Sequence, residues 1–79
     1  MKDDLSIRNL AEYLERIRFN HNLSENDMIV NLNIRKQTCR KLIKHMIFNK
    51  VIIVDITKRI NYSNLKVIDC DLEKMELMF

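Results

Sequence analysis

Apolar residues recur early in the chain at Ile7, Leu10, Ala11, Leu14 and Ile17. Steps of three and four place them on one stripe of a helix. The pattern predicts a helix from about Asp4 to Asn20, with Tyr13 bordering the stripe and Arg8, Glu12, Glu15 and Arg16 on the other side. Asp4 or Ser6 can cap its start. Asn20-His21-Asn22 holds no periodic apolar residue and reads as a loop. Ser24, with Asp27 three residues on, resembles a capping box in which Asp replaces Glu. Met28, Ile29 and Leu32 then supply the inward face of a short helix from about Ser24 to Leu32. Asn33 can end it, because Asn tolerates left-handed geometry better than other non-glycine residues. A third helix is predicted from about Arg35 to Phe48, with Cys39, Leu42, Ile43 and Met46 on one face. Asn49 is placed to end it.

The period then changes. Val51-Ile52-Ile53-Val54-Asp55-Ile56 is rich in β-branched residues, and Leu65-Lys66-Val67-Ile68-Asp69-Cys70 is a second strand candidate. The polar stretch 57–64 joins them as the tip of an antiparallel hairpin. Asp71 can cap a short tail helix carrying Leu72, Met75 and Phe79 on one side. The fold class expected is α+β, mainly α, in a single domain over residues 1–79.

Composition narrows the picture. The chain has 79 residues, no Gly and no Pro. That excludes Gly-rich phosphate loops and Pro-rich linkers, and leaves turns to Asn, Asp and Ser. The longest apolar runs are too short to span a bilayer, and the opening MKDDLS is unlike a signal peptide, so a cytoplasmic protein is expected. Cys39 and Cys70 lie far apart in sequence, with no zinc-like spacing. They read as reduced packing thiols.

The net charge of +3 is unevenly spread. Residues 1–27 carry four basic and six acidic side chains, and residues 55–79 carry four and five. Residues 28–54 hold six cations (Arg35, Lys36, Arg40, Lys41, Lys44, Lys50) and no acid. A cationic block of this kind points to an anionic partner. At 3.6 residues per turn, Lys36, Gln37, Arg40, Lys41 and Lys44 form one strip opposite the apolar face of the third helix.

The order helix, helix, tight turn, helix, hairpin resembles a winged helix-turn-helix domain of the MarR-like kind. The stretch LSENDMIVNLNIRKQTCRKLIKHMIFNKVI, residues 23–52, carries the resemblance. Ser24 stands at the polar cap, Met28 and Leu32 point inward, Ile34 follows the turn, and Asn49-Lys50 break the chain before the first wing strand. The chain departs from the pattern where Asn33 and Lys50 replace customary glycines and where Arg35 replaces a capping Ser or Thr. The resemblance implies three helices with a two-stranded β-hairpin wing and a short C-terminal helix. It implies a recognition helix over 35–48 in the major groove of duplex DNA, with Arg35, Lys36, Gln37 and Arg40 nearest the base edges. Lys41 and Lys44 are then phosphate contacts, as are Lys58 and Arg59 at the wing, with Asn61 and Tyr62 as weaker candidates there.

A small sequence-specific transcription regulator is therefore expected. The alternative is a winged-helix interaction module, or an accessory subunit of replication or transcription machinery, of phage or other mobile-element origin and able to bind single strands. No catalytic constellation stands out: His21 and His45 are isolated, and the serines lack patterned His and acid partners. No metal site, cofactor or small-molecule ligand is expected. Ile47, Phe48, Val30 and Met78-Phe79 do not fit the interior stripes. They either pack under the wing or form a partner surface, for which a homodimer is the expected occupant.

Overall fold

A computed structural model describes residues 6–78. Ser6 caps α1 (Ile7–Asn20), its hydroxyl accepting from the Asn9 N–H at 3.3 Å. The helix thus begins later than the pattern places it, and Asp4 lies outside the described residues. Leu10, Leu14 and Ile17 are buried as expected. Tyr13, expected at the border, is buried as well, and Ile7 at the start of the stripe is half exposed. The Tyr13 hydroxyl accepts from the Ser24 N–H at 3.3 Å and lies 3.4 Å from the Ser24 carbonyl, so a phenol bridges α1 to the next helix start.

His21 takes a left-handed conformation with φ 59° and turns the chain. Asn22, read from the pattern as loop, and Leu23 form a short strand β1 (Asn22–Leu23). Two residues are too few to show an alternating pattern, and their pairing partner is more than forty positions away. Ser24 caps α2 (Glu25–Leu32), accepting from the Asp27 N–H at 3.4 Å. Asn33 ends it with φ 52°, and the Ile34 N–H returns to the Ile29 carbonyl.

Helix α3 (Lys36–Phe48) starts one residue later than expected; Arg35 sits at its cap without a side-chain capping bond. Cys39, Leu42, Ile43 and Met46 are buried. The exit differs from expectation. Lys50, not Asn49, takes the left-handed conformation, with φ 62°. The Val51 N–H bonds the Met46 carbonyl and the Lys50 N–H the Ile47 carbonyl. This is a Schellman closure with lysine where glycine is usual.

The sheet is three-stranded, where the sequence predicts two. Strands β2 (Ile52–Val54) and β3 (Leu65–Cys70) pair antiparallel, β1 pairs antiparallel with the other side of β3, and the order is β1-β3-β2. Strand β2 is shorter than the β-branched run: Val51 precedes it, and Ile56 lies exposed beyond it. Ile53 faces Asp69 and Val54 faces Val67, so Ile68 is a bulge residue. The bulge turns both Ile68 and Asp69 outward and restores Cys70 to the core.

The tail is a 3-10 helix, η1 (Leu72–Leu77), rather than an α-helix, and Asp71 caps it only through backbone. Met75 is buried, Leu72 is half-buried, and Phe79 lies outside the described residues. Helix α3 packs on α2 and β2, and α1 packs on α2 and β3, closing one core. Ile47 and Met78 join its margin, whereas Phe48 and Val30 stay exposed. Among the described residues no helix is long and apolar enough to cross a membrane.

Candidate nucleic-acid interface

Burying Cys39, Leu42, Ile43 and Met46 forces the opposite arc of α3 into solvent. Gln37, Lys41, Lys44 and Phe48 follow one another along that arc at steps of four, three and four, and all are exposed. Lys36 is exposed beside them. The row from Gln37 to Phe48 rises about 16 Å along the axis. Lys36, Lys41 and Lys44 have no ion-pair partner among the described residues. The expected ridge is thus helical and outward over most of its length.

Two of its members are differently placed. Arg35 is exposed, at the cap rather than inside the helix. Arg40 is engaged: its Nε donates to Glu25 Oε2 at 2.7 Å. Its guanidinium carbon lies 4.8 Å from the centroid of the Tyr62 ring, in cation–π contact. The bond to Glu25 raises the Arg40 pKa further above its ordinary value. Glu25 is only 5% exposed and is the one buried charged residue among those described.

The β2–β3 loop, residues 55–64, carries the second group of candidates. Asp55 Oδ1 accepts from both the N–H and the hydroxyl of Thr57, and these bonds hold the Asp55 carboxyl below its usual range. Asn61 Oδ1 accepts from the Ser63 N–H at 3.1 Å. Two side-chain turns therefore bracket Lys58 and Arg59, which are exposed. Ile60 and Tyr62 anchor the loop on the core margin. Asn61 is exposed but commits its carbonyl oxygen to the turn, and Tyr62 is half-buried beneath Arg40.

Glu25 is the residue sequence reasoning missed. It reads as a dipole-favouring acid at a helix start, and nothing in its neighbours announces a partner fifteen residues away. Phe48, which its spacing already sets apart from the interior stripe, is 84% exposed at the C-terminal end of the cationic row.

Both cysteines are buried and unpaired. The Cys39 thiol donates to the Glu25 carbonyl at 3.7 Å, and burial, then the Glu25 charge, push it up to about 11. Such a thiol is a poor nucleophile at neutral pH. No cluster of metal-ligating side chains occurs among the described residues. Compared with protein-family models, with curated proteins and with solved structures, the chain finds no significant match in any of the three.

Proposed function

We propose that this protein is a winged helix-turn-helix domain that binds duplex DNA, with α3 as the recognition helix and the β2–β3 loop as the wing, and that it acts as a sequence-specific transcription regulator in the cytoplasm. The observation that carries the reading is the outward arc of α3: exposed Lys36, Gln37, Lys41 and Lys44, opposite a fully apolar face, with no acid in residues 28–54. The strand order β1-β3-β2 supports it, since the wing is tied into a sheet beside that helix. A rise of about 16 Å matches roughly five base pairs at 3.4 Å each. Gln37 is the residue suited to reading adenine, and the lysines are suited to phosphates. Arg35 remains a candidate base contact. Arg40 moves from base reading to an internal tie.

The test is a gel shift with labelled duplex and single-stranded pools at physiological salt, with specific and nonspecific competitors. Retention of duplex that weakens as salt rises supports the reading. Preference for single strands, or no binding to either pool, overturns it.

A second reading, an interaction module within a larger nucleic-acid assembly, is favoured by one observation. Phe48 and Val30 remain 84% and 79% exposed after the core has formed. Replacing Phe48 with Ala separates the two. Under the first reading the variant keeps its salt-dependent duplex binding; under the second it loses a protein partner instead. The groove between Ile7, Ala11, Leu72 and Met75 suits a second copy of the chain on two half-sites. Sedimentation that gives a monomer with and without duplex excludes that dimer.

A further inference from the structure

Glu25, Arg40 and Tyr62 form a closed triangle joining three segments. The Glu25 N–H, at the start of α2, donates to the Tyr62 carbonyl in the β2–β3 loop at 2.8 Å. The Glu25 carboxylate holds Arg40 of α3 at 2.7 Å, and the Arg40 guanidinium lies against the Tyr62 ring. The two turns in the loop, at Asp55 and Asn61, fix its local shape but make no bond to α3. Its side-chain tie to the recognition face runs through Arg40 and Tyr62. A hollow opens beside that tie, lined by Arg40, Arg59, Asn61, Tyr62 and Ser63. Arg59 lies exposed at its edge, without an ion-pair partner among the described residues.

We infer that Glu25 is a positioning residue for nucleic-acid binding: through Arg40 and Tyr62 it latches the β2–β3 loop against α3, and Arg59 reaches a backbone phosphate only while that latch is closed. The inference rests on the duplex-binding reading and deepens it. A buried carboxylate under a cationic face lowers the positive charge available to a polyanion. Its presence makes sense if it fixes geometry. The Arg40 side chain is 46% exposed, and its Nε is already bonded, so the outer edge of the guanidinium stays at the hollow while the inner edge holds the carboxylate. A phosphodiester at the hollow then meets Arg59, supplied by the loop, beside an arginine whose charge Glu25 already balances.

The test is a set of double-mutant cycles measured by fluorescence anisotropy on one duplex at about 0.1 M salt, below the melting range of every variant. Releasing one phosphate contact costs about eightfold at that salt. In the wild-type background, Arg59→Ala and Lys44→Ala should each cost about that factor. In Glu25→Gln and, independently, in Tyr62→Leu, the cost of Arg59→Ala should shrink below about twofold while that of Lys44→Ala stays near eightfold. A partial loss of folding scales every affinity in a background by the same factor, leaves both costs unchanged and so cannot mimic this asymmetry. If Arg59→Ala costs the same factor with the latch intact and broken, or if both costs shrink together, the inference is overturned. Failure of the wild-type chain to bind duplex at all refutes instead the reading on which it rests.

Discussion

The sharpest test of the proposed interface is the salt dependence of duplex binding. Five side chains in the proposed interface carry charge with no ion-pair partner among the described residues: Lys36, Lys41, Lys44, Lys58 and Arg59. Arg40 is left out because Glu25 holds it. Each neutralised phosphate contributes about −0.9 to the slope of log affinity against log salt, so five give about −4.5. Between about 50 and 200 mM salt, affinity should fall by about 500-fold. The double substitution Lys41→Ala/Lys44→Ala leaves three such contacts, a slope of about −2.7, and a fall of about 40-fold over the same range. Both side chains are exposed and make no hydrogen bond or ion pair among the described residues, so the substitution should leave the melting temperature nearly unchanged. Anisotropy titrations of one labelled duplex at four salt concentrations read both slopes. A variant slope equal to that of the wild type would refute the assignment of these lysines to phosphates. A wild-type slope near zero would refute polyanion binding by this face.

Stability offers three further tests. Leu14 is fully buried between α1 and its neighbours, so Leu14→Ala should cost about 2–5 kcal/mol, read from the urea midpoint; a loss under about 1 kcal/mol would mean that the core is not packed as described. Lys50 holds φ 62° at the exit of α3, so Lys50→Gly should be neutral or mildly stabilising, and Lys50→Val destabilising by about 1–2 kcal/mol, in thermal melts. Burial raises the Cys39 thiol to about 11 from 9.0, and burial also raises Cys70 and Tyr13. Each such group supplies stability that is intact below its unfolded pKa and is lost as pH climbs through its folded one. The urea midpoint should therefore hold steady up to about pH 9 and drop between about 9 and 11; a midpoint that rises with pH there contradicts the burial of these groups.

The latch explains why residues that look alike in a sequence act differently in a fold. Arg40 and Lys44 lie one turn apart on α3, yet one is tied to a buried carboxylate and the other is exposed with no ion-pair partner among the described residues. An alanine scan should separate them: Lys44→Ala changes binding alone, whereas Arg40→Ala also loosens the loop.

The three α-helices were legible from the chain itself, because each is written in local terms. A stripe at helical spacing, a Ser at each of two starts and Asn33 at one exit act within a few residues, and side-chain sterics decide them without help from distant segments. The inward residues of α3, and hence its outward cationic arc, were legible for the same reason. What the tertiary structure alone decided is non-local. Strand β1 exists because Asn22 and Leu23 meet Lys66 and Leu65. The bulge at Ile68 appears only when β3 is set against β2. Arg40 is tied because Glu25, fifteen positions earlier, is carried under it when α2 packs on α3. Local spacing encodes which face of a helix turns inward; which charge it then meets depends on contacts that form only when the whole chain has closed.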